Sequence, residues 1–301
     1  MRSAIGRFSV VLAALSFGAA LQAQAPRFAA APSRAEPGGI VRLTLSGLAP
    51  RGAVRAVSGE MAGEPLHFVR GDSGSWRAIG AVPVDAATSV SARVIVVRAS
   101  GRVDTVYARV AVPPVPPPKA EPLTVDTAFT TLDTAQVARV NRENARARAI
   151  GRRSHDTPRL WSDAFARPRA SVLTSTFGTG RSFNSVVTSR HLGVDFRGAV
   201  GDTVHAANRG VVVLVDTFLL AGTVLYVDHG AGVVTGYFHL SKTLVGAGDT
   251  VSRGQNIALV GASGRVTGSH LHWSARYGSL TVNPLDLVAL DATWFREKRS
   301  Q

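Results

Sequence analysis

Gly268-Ser269-His270-Leu271-His272-Trp273-Ser274 sets two histidines one residue apart in an apolar, β-prone run. A strand alternates its side chains with period two, so His270 and His272 leave the same face. Two imidazoles aimed into one space either share a metal ion or divide the work, one binding metal and the other moving protons. Alone, the pair is equally consistent with structural histidines on a half-polar strand face. Two further stretches change the balance: His191-Leu192-Gly193-Val194-Asp195 and Tyr237-Phe238-His239-Leu240. Three such units in a 301-residue chain with eight histidines point to a metal site.

The rest of the C-terminal half supplies a scaffold. Val204 to Val215, Thr223 to Asp228, Val233 to His239, Ile257 to Gly261 and Leu271 to Tyr277 read as strands punctuated by glycines. No long helical pattern interrupts them, which predicts an antiparallel sheet folded on itself. Upstream, Gly39 to Leu45, Val90 to Val97 and Val103 to Val110 alternate with period two, the last two joined by a turn at Ser100-Gly101. That pattern predicts a small immunoglobulin-like β-sandwich over residues 26–112. The proline run Pro113-Pro114-Val115-Pro116-Pro117-Pro118 marks a semi-rigid spacer. A helix capped by Asp133 or Thr134 should follow, ending near Arg152. The expected fold is therefore all-β, two domains joined by a Pro-rich linker and helix over 113–167, with the second domain over 168–290 and a tail over 291–301.

Residues 1–25 read as a signal peptide: Arg2 and Arg7, an apolar run from Phe8 to Leu21, then Ala23-Gln24-Ala25. Pro26 fits poorly after that cleavage site, so either the cut is shifted or the segment stays as an anchor. The expectation is an exported protein of the periplasm or cell envelope, or a secreted one, without stable membrane insertion once the signal is removed. Absence of cysteine excludes disulfides, thiol catalysis, cysteine-bound zinc and a cysteine-linked lipid anchor. The +14 formal charge is nearly all arginine, spread without an RNA-binding aromatic motif, and gives no reason to expect nucleic acid as a partner. It suits contact with an anionic wall polymer, and equally a solvated surface.

A catalytic zinc takes three protein ligands and keeps one position open. His191, Asp195 and one histidine of the His-Leu-His strand satisfy that requirement with nitrogen and oxygen donors. Zinc lowers the pKa of water to about 7, making a nucleophile at neutral pH. His239 and the remaining histidine are then placed to take a proton and steady an oxyanion.

Taken together, His191-x-x-x-Asp195, Tyr237-Phe238-His239-Leu240-Ser241 and His270-Leu271-His272 resemble the three motifs of the lysostaphin/LytM-type zinc endopeptidases. The resemblance runs from about Val172 to Leu287 through Val227-Asp228-His229-Gly230, Gly248-Asp249-Thr250-Val251 and Gly254-Gln255. It implies a grooved antiparallel β fold and hydrolysis of peptide bonds in peptidoglycan stems or cross-links. It also implies Zn2+ held by His191, Asp195 and His272, with His239 and His270 as the catalytic pair, their individual roles left open. Ser274 departs from the family, which often has glutamate there; the position is not a ligand. His67 is expected to be structural, His205 and His229 structural or groove-lining, His155 lies in a polar loop without a role, and Arg181 and Asn184 are weak candidates for the groove. Two alternatives compete. A silent or autoinhibited wall-binding regulator keeps the fold, but the complete set of five side chains argues against silence, leaving occlusion by the upstream helix or sandwich. A cupin-type barrel requires a glutamate shortly after His-x-His, and none follows His272. Classical zincins need His-Glu-x-x-His, which is absent.

Overall fold

Alternation in the His270–Tyr277 strand fixes the layering of the C-terminal half. Leu271, Trp273, Ala275 and Tyr277 are fully buried in the main core, and the residues between them face the other way. In the computed structural model, which describes residues 25–48, 54–71, 74–116 and 119–295, this strand is central to a ten-stranded sheet. The order runs Leu173–Ser175, Val194–Arg197, His270–Tyr277, Val233–Thr243, Gly222–Gly230, Gly210–Phe218 and Thr250–Val251. Asn256–Val260 branches from Val233–Thr243 and carries Thr203–His205, while Leu280–Val282 pairs with His270–Tyr277. Every pairing in this sheet is antiparallel.

The run expected as one strand from Val204 to Val215 is two, Thr203–His205 and Gly210–Phe218. Between them Ala206 to Arg209 turn, with the Ala207 amide donating to the buried Tyr237 hydroxyl (2.9 Å) and Asn208 Nδ2 to the Asp163 carbonyl (2.8 Å). Sequence alternation could not register this break because both halves are apolar on the inner side.

The N-terminal half packs two four-stranded sheets around a cluster that includes Val41, Leu43, Leu45, Met61, Val94, Val96 and Val110. It does not stand apart. Ile40, Ile79 and Ala81 join the core of the C-terminal half. Glu64 Oε1 accepts from the Ser279 amide at 2.9 Å, and the Tyr277 hydroxyl donates to the Pro65 carbonyl at 2.7 Å. His155, expected in a polar loop, is instead half-buried in this junction. Its Nε2 donates to Glu64 Oε2 at 2.8 Å, which leaves Nδ1 to accept from His67 Nε2 at 2.8 Å.

Two parts of the segment between the halves reach the site region. Ala120–Leu123 pairs in parallel with Gly180–Phe183. The helix Thr134–Arg153 starts at a capping box between Asp133 and Gln136 and lays Ala147 and Ile150 on Leu214, Phe218, Tyr226 and Val234. Glu143 holds the Leu219 amide at 3.0 Å, fixing the helix along one wall of the groove. Among the described residues no helix is long and apolar enough to cross a membrane. The 1–25 leader expectation falls on residues outside the described ones, apart from Ala25.

Candidate metal and catalytic centre

Strand register brings the separated motifs together. Asp195 stands opposite His272, Arg197 opposite His270, and Phe238 opposite His272 on the other side. Cross-strand partners share a face, so three strands present their polar side chains into one groove. His191 enters from the turn just before Val194–Arg197.

Three donor atoms converge. His191 Nε2 lies 3.1 Å from Asp195 Oδ1 and 2.9 Å from His272 Nδ1, and His272 Nδ1 lies 2.9 Å from Asp195 Oδ1. A tetrahedral zinc with bonds of about 2.0–2.1 Å separates its ligand atoms by roughly 3.3 Å. The triangle is within a few tenths of an ångström of that face. The nitrogen and oxygen set also suits zinc. These three residues are the group among the described residues whose ligand atoms could hold a metal ion.

Backbone carbonyls set the tautomers. His191 Nδ1 is 2.9 Å from the Thr176 carbonyl, His239 Nδ1 is 2.8 Å from Ser263 O, and His270 Nδ1 is 2.9 Å from Gly268 O. A carbonyl only accepts, so each Nδ1 carries its proton and each Nε2 keeps a lone pair. For His191 that lone pair faces Asp195 and His272, the arrangement a metal ligand requires. His270 Nε2 is buried, has no hydrogen-bond partner among the described residues and lies 3.7 Å from Asp195 Oδ1. An orphaned buried nitrogen beside three converging donors is accounted for by a ligand or substrate in the groove. The His239 and His270 rings sit 4.9 Å apart, and His239 is 6.0 Å from His272.

Burial and charge tune these groups. Burial, with His270 and His272 nearby, pushes His239 down to about 3; burial takes His272 to about 4 despite Asp195. Burial works against the Asp195 carboxylate, yet hydrogen bonds from His191 and His272 hold it well below the usual range. His239 and His272 are therefore neutral and the Asp195 carboxylate ionised at pH 7, the state in which His272 and Asp195 bind a cation.

His239 has φ +62°, rare for a residue with a Cβ. It occupies the irregularity where one edge of Val233–Thr243 changes partner from His270–Tyr277 to Asn256–Val260, and its amide donates to the Ala221 carbonyl at 3.0 Å. Strain of this kind gathers at functional sites because the surrounding fold must enforce it.

Several contacts escaped sequence reasoning. Phe238 stacks parallel on His272 at 5.2 Å. Arg181, only a weak groove candidate from sequence, donates Nη2 to Asp195 Oδ2 and to Ser175 Oγ. Asn184 does not line the groove: its side chain brackets Val125 through two 2.9 Å hydrogen bonds. His229 is structural, bonding the Arg209 carbonyl and Thr235 Oγ1 at 2.8 Å each. His205 Nδ1 turns to Gly254 O at 3.1 Å. No sequence signal marks the carbonyls that fix the imidazoles, since a backbone oxygen is the same in every residue.

The stretch that carries these residues is similar to known proteins. Residues 189–284 match the model of Peptidase family M23. The chain is 43% identical over 95 residues to the peptidoglycan DD-endopeptidase ShyA of Vibrio cholerae, covering 32% of this chain and 22% of that protein. It is 42% identical over 122 residues to ShyB, a peptidoglycan DD-endopeptidase of the same organism, covering 40% of this chain and 28% of the relative. The chain thus spans less than a third of the length of these relatives. A crystal structure of a protein from Pseudomonas aeruginosa assigned to peptidase M23 superposes with TM-score 0.62 at 26% identity, covering 84% of this chain and 94% of that one.

Proposed function

We propose that this chain, a member of peptidase family M23 through residues 189–284, is an exported zinc endopeptidase that hydrolyses peptide bonds in peptidoglycan. The observation that carries the reading is the convergence of His191 Nε2, Asp195 Oδ1 and His272 Nδ1, flanked by two further imidazoles with bare Nε2 atoms. The names of the relatives ShyA and ShyB support the choice of peptidoglycan as substrate.

His191, Asp195 and His272 hold the metal; when bound, zinc supplies Lewis acidity and makes water nucleophilic at neutral pH. The residues of the chain do the remainder. Arg181 neutralises the outer oxygen of Asp195 and fixes the carboxylate plane. His239 and His270, each held by a carbonyl through Nδ1, present Nε2 to the reacting centre. One takes the proton of the attacking water on its bare Nε2 and gives it to the leaving amine as the C–N bond breaks, and the other lines the space in which the oxyanion forms. Their rigid tethering places both imidazoles before the reaction begins.

The test is incubation of the full chain with purified peptidoglycan, with and without a chelator, followed by mass analysis of released fragments. New peptide termini that vanish with chelator and return with zinc support the reading. A zinc-loaded protein that releases nothing refutes it.

A further inference from the structure

On the His270 side the groove opens into a cavity of about 350 Å³ whose walls carry Arg181, Arg197 and Arg265. The carboxylates lining it are Asp195, already engaged by the ligand histidines and Arg181, and Glu121. Each arginine is delivered by a different element. Arg197 stands opposite His270 in the strand register, so the two side chains leave one sheet face next to each other. Arg265 comes from the loop that leads into His270–Tyr277, and its guanidinium lies 4.0 Å from the ring centroid of Phe183. Arg181 uses Nη2 on Asp195 and Ser175, yet its buried Nε has no partner among the described residues.

Asp195 and Glu121 offset two of the three guanidinium charges, so the cavity keeps an excess of positive charge that a further anion would neutralise. Burial and the neighbouring Arg181 push the Arg265 guanidinium down from its ordinary range. Arginine matches a carboxylate through paired N–H donors and is weakly hydrated, so it recognises carboxylates at low desolvation cost. A neutral backbone, such as a run of glycines, has no group to pair with this cluster.

We infer that the Arg181, Arg197 and Arg265 cavity is a specificity subsite for a free carboxylate on the substrate peptide, next to the bond that is cut. The inference rests on the peptidoglycan-peptidase reading and narrows it: acidic stem peptides are the substrate class, and neutral bridges are not. Arg197 and Arg265 are the specificity-determining residues, because Arg181 is already tied to the metal-ligand carboxylate.

Binding tests this separately from hydrolysis. Zinc-loaded full chain is titrated calorimetrically with a synthetic stem tetrapeptide bearing a free carboxylate, and with its amide. The acid should bind at least roughly tenfold more tightly, as expected for charge-assisted hydrogen bonds to two arginines. Arg197→Gln and Arg265→Gln, each checked for wild-type zinc content, should bring the ratio close to one. Arg265 packs on Phe183, so Arg197→Gln, an exposed position, decides the matter should Arg265→Gln lose its zinc. Equal affinity of the wild type for acid and amide overturns the inference, as does a preference that survives Arg197→Gln. Preference for the acid without any cleavage of peptidoglycan would keep the subsite and overturn the peptidase reading. Cleavage without preference would do the reverse.

Discussion

Gly193 sits between the two ligands of the first motif, and replacing it by alanine should remove the metal. A Cβ built there would lie 2.5 Å from His272 Nε2, 2.6 Å from His272 Cε1 and 2.7 Å from the Trp273 carbonyl oxygen. Ordinary carbon contacts begin near 3.5 Å, so about 1 Å of displacement is required. Trp273 is pinned by the pairing of Val194 with Trp273, and Phe238 stacked at 5.2 Å limits how far the His272 ring can tilt. Metal sites tolerate about 0.2 Å in ligand distances, so a shift several times larger should weaken zinc binding by more than the roughly 10- to 100-fold typical of outer supports. Gly268 is the internal control. It belongs to the His-Leu-His stretch, its carbonyl holds His270, and a Cβ there meets nothing within 4 Å. The assay is zinc affinity by competition with a colorimetric chelator, with thermal unfolding measured in parallel. Gly193→Ala should lose zinc while Gly268→Ala keeps wild-type affinity. Wild-type zinc affinity in Gly193→Ala would refute the steric argument.

The division of labour predicts two classes of variant: His191→Ala and Asp195→Ala should lose zinc and activity together, whereas His239→Ala and His270→Ala should lose activity, by roughly 100-fold or more, with zinc retained. Zinc loss in the second class, read by metal analysis, would place those histidines among the ligands. His229 gives a pH-dependent stability. Burial takes its folded pKa from 6.5 to about 4, so between those values the unfolded chain binds a proton that the folded chain does not. Stability therefore rises with pH; the contribution is fully present above about 6.5 and is lost as pH falls towards 4, amounting to about 3 kcal/mol. Urea unfolding at pH 7.5 and 4.5 should show that His229→Gln removes this part of the slope; identical slopes would contradict it.

Much of the site was legible because its chemistry is carried by residue type and spacing. Two histidines two apart on a strand must share a face whatever the fold, and this set His270 and His272 together. Histidine and aspartate are rare enough in an apolar sheet that five of them in three β-prone stretches single themselves out. The antiparallel scaffold followed from alternation between glycine-rich turns, and the helix from a cap expected at Asp133 or Thr134, of which Asp133 holds it.

Register, tautomer and packing belong to the tertiary structure. Sequence alternation is blind to which residue lies opposite which, and it was pairing that set Asp195 against His272 and Arg197 against His270. The carbonyls of Thr176, Ser263 and Gly268 aim the Nε2 atoms, yet any residue would offer the same oxygen. Gly193 is required by a ring 79 residues away rather than by its own backbone angle. The region read as a Pro-rich linker and helix gave no sign that Ala120–Leu123 pairs beside the groove or that His155 closes a half-buried chain with Glu64 and His67. Local pattern records what a residue can do; the partners it meets are set by contacts between distant segments, which a pattern of period two or 3.6 does not encode.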